Sequence, residues 1–294
     1  MRLAILGANG QLGSDVAAAA RRERAKYEVH ALARADLDVN DSARVAATLS
    51  ELRPQVVVNA AAYNQVDAAE SRASEAFAVN ALAVHGLATV CARLDAVLVL
   101  ISTDYVFDGK RREPYREDDL PAPQNVYGAS KLAGEHLARL TCAKLFMLRT
   151  SGLYGLAGAR RRTGNFVEKM LALAAAGTPI RVVEDQTTAP TASADLSLAL
   201  LALIHTRAYG LYHVTNAGAC TWFAFAREIF RLAGLNPDLA ATTSAELGAK
   251  ARRPAYSVLD NAAARAAGVA ALRPWQEGLA DYMRARRAQV AGAR

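Results

Sequence analysis

The sequence predicts an α/β fold, a doubly wound parallel sheet with a smaller C-terminal α/β domain closing over it. Three observations carry this prediction. Short apolar runs rich in Val, Ile and Leu recur along the chain with helix-length segments between them. They are apolar without alternation, which suits strands covered on both faces of a parallel sheet, with helical crossovers between them. The second half is more irregular, with most of the prolines beyond residue 110 and glycine-rich loops at 152–164.

Taken in order, the predicted strands are LAILG (3–7), EVHALA (28–33), VVVNAAA (56–62), VLVLIS (97–102) and LFMLRTS (145–151). With helices expected at 12–24, 67–94 and 126–140, they form a first domain over residues 1–150. IRVVED (180–185) and GLYHVTN (210–216) are expected to return to the same sheet. Segments near 178–216 would therefore interleave with a second domain at 151–294. The remaining helices are expected at 165–177, 192–206, 221–233 and 275–287. No repeat, low-complexity tract or linker interrupts the chain.

With 294 residues, 52% of them hydrophobic, the chain can bury one large core or two modest ones. No unbroken apolar run approaches the roughly 18–20 residues that cross a bilayer. LALLALI (198–204) reads as a buried helix, and no membrane partner is expected. The N-terminus begins like a signal peptide, but Gly7, Asn9, Gln11 and Asp15 break it at once. Cys91, Cys142 and Cys220 lie far apart, which fits a reduced cytoplasm and neither a disulfide framework nor a zinc site. The formal net charge is +7, yet the basic residues are scattered. The run Arg160–Arg161–Arg162 reads as readily as a solvated loop as a functional patch. Small anionic ligands explain the charge as well as nucleic acid does, and nucleic acid is not expected.

The first strand runs into GANGQLG, with Gly7, Gly10 and Gly13. Glycines let the backbone turn tightly and approach a pyrophosphate, and the helix that follows offers free N–H groups and the positive end of its dipole. A strand before and a helix after give the context that makes this a Rossmann-type dinucleotide site. Gly7, Asn9, Gly10, Gln11 and Leu12 are its candidate contacts. An acid at the end of the second strand would favour NADH, whereas an Arg would suit the 2′-phosphate of NADPH. This chain has Arg34 there, with Asp38 and Val39 only later, so NADPH is expected over NADH. Asp38–Val39 would flank the adenine or cap a helix starting near Asp41.

In NVYGASKLAGEH (125–136), Tyr127 and Lys131 stand four apart, on one face of a helix. An ammonium near a phenol favours the phenolate and lowers a pKa that is otherwise near 10, which would make a tuned proton donor. The helix follows a strand ending in Ser102–Thr103, at the C-terminal sheet edge where open α/β folds bind ligands.

These motifs together resemble the extended short-chain dehydrogenase/reductase superfamily and, within it, the dTDP-4-dehydrorhamnose reductases. The similar segments are NAAAYNQVDAAES (59–71), STDYVFDG (102–109), NVYGASKLAGE (125–135), RTSGLYG (149–155), NFV (165–167), DQTTAPT (185–191) and RRPAYSVLD (252–260). The resemblance implies NAD(P)H-dependent reduction of the 4-keto group of dTDP-4-dehydro-6-deoxy-L-mannose to dTDP-L-rhamnose. It implies that Thr103 binds the carbonyl, that Tyr127 protonates it, and that Lys131 holds the nicotinamide ribose and lowers the Tyr127 pKa. Ala60, Ala61 and Tyr63 would lie along the cofactor. Asp104, Asn165, Asp185, Gln186 and Arg253 match substrate-side motifs, with Arg253 suited to phosphate.

Dehydratases of the superfamily usually carry Asp–Glu after the threonine; here Asp104–Tyr105 follows, which disfavours elimination. Epimerases fit less well. A non-catalytic regulator, like the regulatory subunit of methionine adenosyltransferase, is disfavoured because Thr103, Tyr127 and Lys131 are all present. Some members are described as magnesium-linked dimers. A homodimer is therefore open, but no carboxylate cluster stands at recognisable ligand spacing and no metal ligand is assigned. One departure concerns Gly152, where these reductases usually carry tryptophan, as RTSW. The loss is expected either to leave room for water or a bulkier substrate, so that Gly152→Trp would restore affinity, or to be filled by Tyr154 or Trp222.

Overall fold

The computed structural model describes residues 1–159 and 164–292, and the Arg160–Arg161–Arg162 run lies outside the described residues. The main strands are β1 (Arg2–Leu6), β2 (Glu28–Leu32), β3 (Val56–Asn59), β4 (Val97–Thr103), β5 (Leu145–Thr150), β6 (Ile180–Val183), β7 (Gly210–His213) and β8 (Leu239–Thr242). The main helices are α1 (Gln11–Arg22), α2 (Ser42–Leu52), α3 (Ala73–Arg93), α4 (Val126–Thr141), α5 (Phe166–Ala175), α6 (Ser193–Leu203), α7 (Trp222–Ala233) and α8 (Trp275–Gly292).

Six strands form one sheet in the order β7-β5-β4-β3-β1-β2, with every pair parallel. Successive residues of a strand point to opposite faces, and both faces are covered. Leu3 and Ile5 of β1 pack with Leu12 and Val16 of α1 and Leu200 of α6. Ala4 and Leu6 pack with Val45 and Leu49 of α2, Leu87 of α3 and Ala138 of α4. This is why the strand sequences read as unbroken apolar runs. The chain leaves β1 outward to β2 and then crosses to β3 on the other side, so the order reverses between β1 and β3. A crevice outside the carboxyl ends of the strands at such a reversal is where these sheets bind ligands. The register lines those ends up, with Leu6 opposite both Leu32 and Asn59, and Thr103 opposite Thr150.

β7 joins the sheet as an edge strand, as expected for 210–216, but β6 does not. It pairs in parallel with β8, Ile180 opposite Leu239 and Val183 opposite Thr242, outside the main sheet. The reason is legible in its burial: Ile180, Val182 and Val183 are buried while Arg181 between them is exposed. A strand carrying an exposed Arg suits a sheet covered on one face only. Its buried side belongs to a second core with Phe225 and Ile229 of α7 and Leu279 and Tyr282 of α8.

The single helix expected over 67–94 is a short turn at Val66–Ala69 followed by α3, which contains a π turn at Ala78–Leu82. By length and composition alone α3 could cross a membrane, which no single run in the sequence suggested. In this fold Ala76, Ala81, Val84, Leu87 and Cys91 are buried, so the helix is a core element of the domain. Its π turn brings Asn80 inside, where that side chain bonds to both Tyr63 backbone groups and to Ser130. Such turns recur at functional sites.

Candidate functional site

The strand ends open into a cavity of about 1220 Å³ that runs from the β1–α1 turn to Trp222 and Arg253. A pocket for one small molecule usually spans about 300–1000 Å³, so this one has room for two ligands side by side.

At one end the wall is backbone. Gly7 has φ +74°, and a Cβ there would lie 2.8 Å from the Ala61 nitrogen; a Cβ on Gly13 would strike the Gly7 carbonyl. The turn and the loop after β3 therefore meet main chain to main chain, and only glycine permits it. α1 begins at Gly10 with no side-chain cap, so its first N–H groups face the cavity end of the helix dipole. Gln11 and Leu12 line this end, but the Gln11 side chain is already engaged: its Oε1 accepts from Gly155 N–H at 2.8 Å and Asn165 Nδ2 at 2.9 Å. Asn165 in turn caps α5 by accepting from Glu168 N–H.

At the end of β2, Arg34 is exposed and its Nε donates to Asp38 Oδ2 at 3.1 Å. The Asn40 N–H, with Arg34, holds the Asp38 carboxyl below its ordinary range. The cap of α2 is Asp41, which accepts from Arg44 N–H, so Asp38 is not a cap. Val39, Ala60, Ala61 and Tyr63 also line the cavity. The Tyr63 phenol oxygen is buried without a hydrogen-bond partner among the described residues.

The other end is built from side chains. Thr103 closes β4, and Asn125 caps α4 by accepting from Gly128 N–H at 2.8 Å while its Nδ2 donates to the Arg252 carbonyl. Gly128 has no Cβ to hold it off the Tyr105 carbonyl. These contacts place Tyr127 and Lys131 beside Thr103 in the cavity wall. Lys131 is 4% exposed and its Nζ donates to the Ile101 carbonyl at 2.5 Å. One turn further, buried Glu135 accepts from Ser102 Oγ at 2.5 Å and from Arg149 through two bonds of 2.9 and 2.6 Å. Burial pulls Lys131 down to about 8 against the pull of Glu135. It pushes Tyr127 up to about 12, although the Thr103 hydroxyl lowers it. The expected lowering of the phenol by Lys131 is thus reversed: both groups are desolvated, and the ammonium is aimed at a carbonyl.

On the far side, Arg253 grips Asp67 with bonds of 2.7 and 3.1 Å, and Asp67 also accepts from Ala251 N–H. Those bonds hold the Asp67 carboxyl low. Asp104 is buried, accepting from Thr103 Oγ1 at 3.0 Å and Ser151 Oγ at 2.8 Å. Two expected substrate contacts lie outside the cavity wall. Asp185 accepts from the Ser244 N–H and hydroxyl, Gln186 Nε2 donates to Ser244 Oγ, and neither side chain lines the cavity. They follow β6, so leaving the main sheet carried them away from its edge to fasten the turn at Ser244–Leu247.

Gly152 has φ +54°, and a Cβ there would meet Pro190 Cα at 3.1 Å and the Trp222 ring at 3.5 Å. The expected empty space is occupied by Trp222, which lines the cavity with Phe166, ring centroids 4.6 Å apart. Tyr154 is 1% exposed in the second core and takes no part. Sequence reasoning also passed over Phe166, Asn80 and Glu135. For Glu135 a signal existed, since it continues the four-residue spacing of Tyr127 and Lys131. Among the described residues no group of three or more His, Cys, Asp or Glu could hold a metal ion.

A family model described as the RmlD substrate binding domain matches residues 1–288. The chain is 42% identical over 287 residues to dTDP-4-dehydrorhamnose reductase of Streptomyces griseus, covering 95% of this chain and 92% of that one. It is 40% identical over 285 residues to the spore coat polysaccharide biosynthesis protein SpsK of Bacillus subtilis (strain 168), covering 97% and 98%. Its structure is similar to that of dTDP-4-dehydrorhamnose reductase from Bacillus anthracis str. Ames in complex with NADP. The TM-score is 0.89 at 39% identity, over 96% of this chain and 98% of that one.

Proposed function

The chain belongs to the RmlD substrate binding domain family, and from that premise we propose that it is an NADPH-dependent reductase. It converts the 4-keto group of dTDP-4-dehydro-6-deoxy-L-mannose to the hydroxyl of dTDP-L-rhamnose. One observation carries the reading: Thr103, Tyr127 and Lys131 share one wall of a cavity that begins at a glycine cradle and ends at an aromatic pair.

The residues present fit a dinucleotide. The Gly7 turn admits no Cβ, α1 starts uncapped beside it, and the orphaned Tyr63 phenol lines the same wall. Gly7, Asn9, Gly10, Gln11 and Leu12 would hold the pyrophosphate, and Ala60, Ala61, Tyr63 and Lys131 the nicotinamide half. Arg34, Asp38 and Val39 would hold the adenosine. A reduced nicotinamide supplies hydride for the carbonyl carbon when bound. The protein supplies the proton. A phenol pushed up to about 12 is fully protonated at neutral pH, as a donor to a carbonyl oxygen must be. The Lys131 ammonium, one turn along the same helix and held on the Ile101 carbonyl, stands beside it in the cavity wall. The Thr103 hydroxyl orients the oxygen. Arg253 and Asn165 stand on the nucleotide-sugar side. NADPH is preferred because the Arg34 guanidinium is exposed, while the Asp38 carboxylate that would read a ribose hydroxyl is already engaged.

NADPH oxidation with dTDP-4-dehydro-6-deoxy-L-mannose formed in situ tests the reading, with dTDP-L-rhamnose as the expected product. Turnover yielding a different hydroxy sugar would move the substrate assignment. Cofactor binding without any turnover would point to a regulator.

A further inference from the structure

We propose that Lys169 binds the diphosphate of the nucleotide sugar, meeting it from α5 while Arg253 meets it from the facing wall. The inference rests on the reductase reading above and names a contact for its substrate.

It follows from comparing the basic side chains that line the cavity. Arg34 has the Asp38 carboxylate at 3.1 Å, Arg72 has Glu75 at 3.9 Å, and Arg253 has Asp67 at 2.7 Å. Lys131 is buried and spent on the Ile101 carbonyl. Lys169 is different. It is exposed, and among the described residues no hydrogen bond or ion pair engages its ammonium. The acid next to it in sequence is turned away: Glu168 accepts from the Tyr282 phenol at 2.6 Å and from Arg286 Nε at 2.7 Å. Lys169 therefore brings an uncompensated positive charge to the cavity.

Local structure aims it there. α5 starts at Phe166 with Asn165 as its cap, so Asn165, Phe166 and Lys169 share a helix face, and all three line the cavity. The positive end of the α5 dipole adds to the field of the ammonium and does not offset it. Across from it stands Asp67, near enough for Lys169 to help hold that carboxyl low. Asp67 cannot neutralise Lys169, because it already accepts from both terminal nitrogens of Arg253 and from Ala251 N–H. An anion between Lys169 and Arg253 would meet a point charge on one side and a planar fork on the other, and a diphosphate has oxygens for both. On the reductase reading the loop after β3 gives Ala60, Ala61 and Tyr63 to the cofactor before it reaches Asp67. That order places the two cations on the substrate side.

The test is calorimetric binding of dTDP, which carries the diphosphate without the sugar, to the full chain and its Lys169 variants. The native protein should bind dTDP, and Lys169→Met should weaken that binding roughly tenfold, the worth of a charge-assisted bond. NADPH affinity should change by less than about twofold, as for a surface substitution outside its site. Lys169→Arg should recover most of the loss, and Lys169→Glu should deepen it. Added salt should weaken native dTDP binding more steeply than binding to Lys169→Met, a readout that a merely structural role would not move. Unchanged dTDP affinity in Lys169→Met would overturn the proposal, as would a loss that falls on NADPH. A native protein that binds NADPH but no dTDP would overturn the substrate of the reductase reading, and the proposal with it.

Discussion

At the β1–α1 end of the cavity the wall is backbone, whereas at the β4–α4 end it is side chains held by distant partners. The cradle needs seven consecutive residues and their φ angles, with the loop after β3 pressed against it. The reacting end needs Asn80 to bond Ser130, 50 residues away, and Asn125 to bond the Arg252 carbonyl, 127 residues away. The difference predicts a division of labour. Damage to the cradle should appear as lost cofactor affinity, and damage to the reacting end as lost turnover.

The strongest test of that division is Tyr127→Phe. Removing the proton donor should lower kcat by roughly 10²–10⁴-fold, the usual worth of a positioned general acid. NADPH affinity, measured by calorimetry, should barely change, since the phenol is no part of the cradle. Near-normal turnover would remove Tyr127 from its role. Lys131→Met should blur the division by harming both quantities, because Lys131 stands where the two ends meet.

The converse substitution is Gly7→Ala. A left-handed backbone costs a non-glycine residue about 1–2 kcal/mol, and the added Cβ would press on the Ala61 nitrogen at 2.8 Å. The cradle should open, and NADPH affinity should fall by roughly tenfold or more by the 1.36 kcal/mol-per-decade rule. The kcat at saturating cofactor should change far less. Native affinity in a folded Gly7→Ala protein would show that the close approach does not shape the site.

The smallest effect is expected at the far wall. Trp222→Ala should raise KM for the nucleotide sugar roughly three- to tenfold with kcat little changed. That is the worth of an aromatic contact of about 0.5–1.5 kcal/mol. Gly152→Trp should weaken binding further instead of restoring it, because Pro190 and Trp222 already fill the position and its φ is +54°. A lowered KM in Gly152→Trp would mean that Trp222 moves aside and the wall is not filled.

Much of the cavity was legible before any coordinates. The glycine turn depends on local φ angles and on a strand and helix adjoining it in sequence. Tyr127 and Lys131 share a face because a helix repeats every 3.6 residues. Lys131 and Glu135 obey the same arithmetic, yet only the fold showed Glu135 facing Arg149 and Ser102 instead of water. The strand before Asp185 and Gln186 was expected in the main sheet because nothing in IRVVED marked it as leaving except one exposed arginine.

What the sequence determined by itself were properties of neighbours along the chain: the parallel α/β alternation, the glycine turn, and the tyrosine–lysine face. Tertiary structure alone decided which of two aromatic residues fills the space beside Gly152. It also decided that burial pushes the Tyr127 phenol up to about 12 and pulls the Lys131 ammonium down to about 8. Spacing along a helix sets which side chains face the same way. Desolvation depends on everything that closes around them, and those walls come from β4, the turn after it and the loop carrying Arg253, segments that meet only when the chain is folded.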